Sequence, residues 1–442
     1  MTNDKVLNRW LVVVGAILIQ LCLGAIYAWS VFTKQITLPV AQGGYGFTAT
    51  QAAWVFSAGL AVFAVFTIIA GRLQLRYGPR PIAVLGGIVL GLGYVLGGFL
   101  GKSFAAQLVC IGIIGGAGIG LGYVVPIAVG VKWFPDKKGM IAGLAVAGFG
   151  FGATLWVKLA GSWFGGLLNT TNVFGLPGVQ SVFFIYGVVF AALVLLGSIV
   201  MVNPPAGWKP KGWEPPAADS AKAKATGSID LTSGEMLRTP QYYMLWLMFI
   251  GSALALAAGL MVIYCIRLFG IDALQSSGVA SDYKAAGIMA GTAMAWYAIL
   301  NGLGRIVWGT VSDKIGRKMA LILMCAFQGV IMLLFFKMGQ SYVGLVVGAC
   351  IIGFNFGGNF ALFPAATADF FGNKNVGTNY GWVFSAYGIA GIAGPQVAGY
   401  FKDAAKGGDV GAWWMPFVIA ACSCFVAAVI GLMLRAPKKH SA

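Results

Sequence analysis

Asn301 and Arg305 lie four residues apart in MAGTAMAWYAILNGLGRIVWGTVSD, a segment otherwise almost free of charge. One helical turn of spacing puts both side chains on one face, with Tyr297 and Trp308 flanking nearly the same stripe. An arginine presents five N–H donors in a planar fork that matches a carboxylate, and an asparagine adds hydrogen bonds without adding charge. A cation at mid-span is costly unless a cavity or a counter-ion accommodates it. No Asp or Glu sits deep in any apolar segment of the chain. The expected counter-ion is therefore a bound anion.

Other residues could complete such a site. Asn355 and Asn359 share a helical face in FNFGGNFALFP, with Phe356 and Phe360 beside them, so one helix could supply polar contacts and a ring wall. The hydroxyls of Tyr27, Tyr123 and Tyr387 need partners if buried. Lys158, near the outer end of its segment, is a second intramembrane cation, expected to snorkel toward the surface. Catalytic and metal chemistry have no support. The sole histidine is His440 in the tail, and the seven cysteines have no acidic or histidine companions to make a ligand set. GAGIGLG satisfies a dinucleotide-like glycine search, but its glycines fall inside an apolar helix rather than after a strand. No cofactor, metal or nucleic-acid partner is expected.

The elements that position these residues are membrane spans. Of the 442 residues, 59% are apolar and 9% charged, far from the composition of a soluble domain. Apolar stretches of about twenty residues or more give twelve spans, 9–33, 51–71, 80–100, 106–131, 139–164, 180–202, 241–267, 285–311, 318–337, 341–368, 375–400 and 411–435. The first reads as a span rather than a cleavable leader. The fold class is thus an all-α polytopic membrane protein. It divides into residues 1–202 with six helices, a linker at 203–239 too poor in apolar residues to fold alone, and residues 240–442 with six more.

Basic residues set the expected orientation. With both termini cytoplasmic, inner loops and tails hold about twenty Lys and Arg against about seven outside, the positive-inside bias. The formal charge of +17 is then a topology signal spread over short loops, not a nucleic-acid surface. A multi-pass protein of the cell membrane, the inner membrane of a bacterial cell, is expected, surrounded by lipid and acting as a monomer.

Two sequence echoes argue for internal duplication. GRLQLRYGPRP follows the second span and GTVSDKIGRKM the eighth, with Gly71 and Gly78 in one and Gly309 and Gly316 in the other. The acidic position Asp313 of the second copy is Leu75 in the first. WFPDKKGMIAGLAVAGFGFGA and FFGNKNVGTNYGWVFSAYGIAG form the other pair. Matching loops at matching span numbers place a substrate path between two related halves. Glycines such as Gly112, Gly116 and Gly120, or Gly143, Gly148 and Gly152, allow close helix approach.

These motifs resemble the major facilitator superfamily and, within it, the oxalate/formate antiporter family, related to the monocarboxylate porters. The more specific matches are KWFPDKKG at 132–139, SGEMLRTPQYYMLW at 233–246, NGLGRIVWGTVSDKIGR at 301–317, GGNFALFPAATADFFG at 357–372 and NYGWVFSAYG at 379–388. The resemblance covers essentially all twelve spans. It implies alternating access around a central carboxylate site, with Arg305 contacting substrate and Tyr27 and Tyr123 at pocket-tyrosine positions. Three departures matter. Tyr387 stands where oxalate-exchanging members carry a lysine, Phe356 and Phe360 replace a familiar Trp and Tyr, and Asn301 replaces the aspartate of animal monocarboxylate porters.

The resulting expectation is a secondary transporter of a small monocarboxylate of the lactate, pyruvate or formate class, coupled to a proton. Arg305 would anchor the anion, Asn301 and Tyr387 would orient it, and Phe356 and Phe360 would exclude water. The alternative is carboxylate exchange, such as oxalate for formate. A carboxylate sensor without flux is a third class.

Overall fold

The computed structural model describes residues 7–214, 229–254, 263–404 and 410–437. The middle of the expected linker, 215–228, and the tail residues Lys438, Lys439 and His440 lie outside them. Apolar runs become helices because a membrane leaves no water to satisfy backbone polar groups. In chain order these are α1 (Arg9–Thr33), α2 (Thr50–Tyr77), α3 (Pro79–Leu100), α4 (Phe104–Trp133), α5 (Lys138–Gly161) and α6 (Val179–Ser198). Next come α7 (Pro240–Leu254, helical again at Ile263–Leu268 and Phe269–Ser276) and α8 (Tyr283–Ile315). The last four are α9 (Arg317–Met338), α10 (Tyr342–Phe371), α11 (Val376–Ala404) and α12 (Val410–Met433).

The expected spans other than the seventh, whose residues 255–262 lie outside the described ones, match these helices to within a few residues, with two instructive overruns. α2 and α8 continue through their basic last turns to Gly78 and Gly316, which adopt φ of 84° and 88°. That left-handed conformation stops a helix at little cost only in glycine. Seven residues earlier in each copy, Gly71 and Gly309 pack directly on backbone carbonyls, those of Gly377 in α11 and Gly139 in α5. The duplicated loops therefore repeat a structural division of labour: one glycine for helix contact, one for the stop.

One face of the bundle carries the start of α1, the described ends of the linker and the end of α12. This terminal face is closed by α5 against α8 and by α2 against α11. The two seams differ as the sequence copies do. On the first, Asp313 accepts hydrogen bonds from the backbone N–H groups of Gly139 (2.9 Å) and Met140 (2.8 Å) in the first turn of α5. A carboxylate there meets the positive end of the helix dipole. Arg317 ties Asp313 (2.6 Å) to Asp369 (2.7 Å), and Lys138 completes the cluster at 2.9 Å from Asp369. Two acids balance two bases. On the second seam, where Leu75 occupies the acidic position, the Thr378 hydroxyl donates to the Gly71 carbonyl at 2.7 Å.

The α5–α8 seam also explains the glycine-rich face of α5. A Cβ on Gly143 would collide with the Arg305 carbonyl of α8, whereas Gly148 and Gly152 face the α1 backbone at Ile17 and Leu21. One helix thus serves two contacts. Replacing Asp313 by Asn keeps its shape but removes the charge opposite the α5 N–H groups and Arg317, worth roughly 2 kcal/mol. Spin labels on the terminal-face ends of α5 and α8 should then report a larger separated population; unchanged distance distributions would contradict the latch.

Candidate functional site

A cavity of about 350 Å³ enters from the face opposite the termini and runs between the first and last six spans. Its α8 wall descends through Gly291, Ala295 and Ala298 to Asn301, and Tyr27, Tyr297 and Phe356 line its deep end. Arg305 lies one turn farther down and is wholly buried. Small residues above Asn301 leave room for a solute, while the arginine waits at the bottom.

Four groups on three helices fix the guanidinium. Its Nε and Nη2 donate to Asn301 Oδ1 at 3.1 and 3.0 Å, and its Nη1 donates to the Val146 carbonyl of α5 at 2.6 Å. The Phe360 ring of α10 lies 4.5 Å from its central carbon and the Phe149 ring of α5 lies 5.8 Å away. Cation–π attraction to two desolvated rings lowers the cost of burial. Three of five N–H donors are used. Among the described residues no acid pairs with this cation.

Glycines allow this convergence. A Cβ on Gly150 would sit 3.1 Å from Asn301 Oδ1 and 3.4 Å from Arg305 Nε, and one on Gly357 would press on the Asn301 carbonyl. α5 and α10 therefore clasp the Asn301–Arg305 turn with bare backbone. Close approach in a membrane relies on such small residues.

Tyrosines surround the arginine. Tyr27, Tyr123, Tyr297 and Tyr387 all lie within its electrostatic reach, as does Tyr380. Tyr27 sits in a short 3₁₀ stretch of α1, Gly24–Ala28, whose Gly24 rests on the Phe149 backbone. Its hydroxyl hydrogen-bonds that of Tyr387, joining α1 to α11 across the site. The Tyr123, Tyr297 and Tyr380 hydroxyls are buried and complete no hydrogen bond of normal geometry. Such groups are expensive to leave unpaired. Tyr123 faces Tyr380 and Tyr297 faces Asn301, loosely held hydroxyls that could turn toward a polar solute next to Arg305.

The structure brings together Arg305, Asn301, Tyr27, Tyr123, Tyr387, Phe356 and Phe360. Two expected residues turn elsewhere. Asn355 accepts from Trp308 Nε1 at 3.1 Å and donates to Gln328 of α9 at 3.0 Å; Asn359 accepts from Ser252 of α7 at 2.8 Å. Both amides turn into the last six spans, where interhelical hydrogen bonds pair Asn355 on both sides and the Asn359 carbonyl oxygen, while Asn359 Nδ2 is buried without a partner. Trp308 leaves the Arg305 stripe for the same reason. Asn301 is also redefined: its carbonyl oxygen braces the arginine, which leaves the amide Nδ2 as its donor toward the cavity.

Phe149, Tyr380 and the Val146 carbonyl were not expected at the site, whereas Tyr297, read beside the Asn301–Arg305 stripe, does line it. Tyr380 precedes Tyr387 by seven residues, two helical turns on one face, and that spacing could have revealed it. Phe149 hides in GFGFG, where the glycine spacing dominates. A backbone carbonyl leaves no residue-type signal.

A buried arginine with no acidic partner among the described residues, beneath a cavity between the first and last six spans, is an arrangement suited to receiving an organic anion inside a membrane. The family model for the Major Facilitator Superfamily matches residues 10–281 and 273–442, and the chain belongs to that superfamily. The oxalate:formate antiporter of Oxalobacter formigenes is 28% identical over 95% of this chain and 90% of its own length. Apicoplast pyruvate carrier 1 of Toxoplasma gondii is 24% identical over 86% and 81%. Among solved structures, the proton:xylose symporter XylE superposes with a TM-score of 0.65 at 14% identity, covering 95% of this chain and 94% of its own. That last likeness concerns the fold alone.

The Tyr27–Tyr387 bond supplies a test of the geometry. Tyr27→Phe and Tyr387→Phe should each change the purified protein's affinity for a small organic anion about fivefold, one hydrogen bond's worth. The double variant should match either single one, because both remove the same bond. Full additivity would contradict a direct pair.

Proposed function

We propose that the chain exchanges small carboxylates across the membrane by alternating access, with Arg305 as the receptor and a monocarboxylate as at least one exchanged anion. The observation that carries the reading is a fully buried arginine with no acidic partner among the described residues, at the foot of a cavity between the two six-helix sets. An anion bridging Asn301 Nδ2, tyrosine hydroxyls and the remaining guanidinium donors would complete the hydrogen bonding that the protein leaves open. One cation balances one carboxylate; with Tyr387 in α11, the described residues put no second cation at the centre for a second charge.

Exchange rather than proton-coupled uptake follows from the cost of the empty site. Holding an unneutralised arginine at mid-membrane costs about 3 kcal/mol on insertion scales. A carrier that closes with the anion bound avoids that cost, so loaded transitions should be favoured about 100-fold over empty ones. A proton symporter needs a group that carries the proton, and Asn301 cannot. The likeness to the oxalate:formate antiporter supports the same reading. The likeness to a pyruvate carrier keeps net monocarboxylate uptake as a second reading, with the substrate bringing its own proton. The terminal face, with its excess of basic residues, is assigned to the cytoplasm.

Proteoliposomes separate the readings. Formate, lactate, pyruvate and oxalate should be offered outside while internal anion and pH gradient are varied independently. Exchange predicts that internal carboxylate speeds uptake by at least about tenfold while an imposed pH gradient does little. Uptake into anion-free vesicles driven by an inward proton gradient would favour symport, and binding without flux in sealed vesicles would indicate a sensor.

A further inference from the structure

Lys158 and Arg267 both line the cavity at its open end, one on α5 and the other on the described segment of α7. Both are exposed, and neither side chain makes a hydrogen bond or ion pair among the described residues. Among the described residues no acid lines the cavity with them; their neighbours there include Trp29, Phe56 and Met294. Two like charges facing one space repel, and apolar walls concentrate their field instead of dissipating it. A snorkelling lysine would be indifferent to its neighbours. A pair contributed by both six-helix sets to one cavity is a different arrangement.

The α5 face that bears Lys158 leads directly to the arginine. Lys158, Thr154, Gly150 and Val146 succeed one another at four-residue intervals, hence along one side of the helix. The first three line the cavity, and the Val146 carbonyl receives Arg305 Nη1. Gly150 leaves the passage open at the level of Asn301. The Thr154 hydroxyl, midway, is buried without a hydrogen-bond partner. From Lys158 to Val146 the helix rises about 18 Å, farther than one small carboxylate can reach between both ends. The outer cations and the buried one are therefore separate stations.

We propose that Lys158 and Arg267 form an outer anion site that captures a carboxylate at the open face and hands it along the Thr154–Gly150 side of α5 to Arg305. The inference rests on the substrate being an anion. The outer site sets the apparent affinity for loading from the open face, and Arg305 sets the affinity of the central site. Because the outer cations are exposed, the capture step is sensitive to ionic strength.

The test uses vesicles whose sidedness is assigned by protease access to the 203–239 linker, with labelled formate entering from the open face. In the Lys158→Gln/Arg267→Gln double variant the KM for this uptake rises about tenfold at low ionic strength, and its dependence on salt flattens. Lys158→Arg, which keeps the charge, retains wild-type KM and salt dependence. Lys102→Gln, a basic residue away from the cavity, changes neither. The KM for loading from the terminal face stays as in the wild type, which separates lost capture from damage to the central site. Unaltered KM and salt dependence in the double variant, beside wild-type formate flux, overturn this proposal alone. A wild-type protein that moves no carboxylate overturns the function reading and this one with it.

Discussion

A single uncompensated positive charge governs the middle of this molecule. Arg305 is wholly buried, and its partners are one carbonyl, one amide oxygen and two aromatic rings. Each lowers the cost of burial without cancelling the charge. The bare backbones of α5 and α10 follow from this need, because only glycine lets Val146 and Phe360 come close enough. The ring of tyrosines follows too: hydroxyls tolerate a cation and can turn toward an anion, whereas a carboxylate would neutralise the arginine permanently.

The same helix pair that cradles the arginine also closes the terminal face. α5 meets Arg305 at Val146 and meets Asp313 at Gly139 and Met140, so site and latch share one rigid element. An anion that pulls the guanidinium from the Val146 carbonyl would loosen the α5–α8 seam at its upper end. On the other seam, α2–α11, closure rests on a neutral hydroxyl–carbonyl bond at Thr378, and the Tyr27–Tyr387 pair bridges α1 to α11 at the site itself. The two copies of the duplicated loop thus contribute different grips: an ion-paired cluster on one seam, and on the other the hydroxyl–carbonyl bond with the Arg72 guanidinium 5.6 Å from the Trp382 ring.

Much of this was legible in the sequence. Hydropathy located the spans because lipid imposes helices of a set minimum length, and the four-residue spacing of Asn301 and Arg305 placed both on one face. The paired glycines of the two loops were read as a repeat; that the second of each pair stops its helix came from the backbone. What periodicity cannot supply is absolute rotation. Asn355 and Phe356 are adjacent, and only packing decides that the ring reaches the cavity while the amide turns toward Gln328. Backbone partners such as Val146 carry no residue signature, and the Tyr27–Tyr387 pair joins residues 360 positions apart with no local pattern to connect them.

The account depends on the planar fork of Arg305 and not merely on its charge, since Asn301 and Val146 hold the guanidinium in one orientation. The most direct measurement is equilibrium binding of formate and lactate to the purified protein, wild type beside Arg305→Lys. Loss of at least about tenfold in affinity with the charge retained is the predicted result. Equal affinity in the two proteins would contradict a carboxylate seated on the arginine fork.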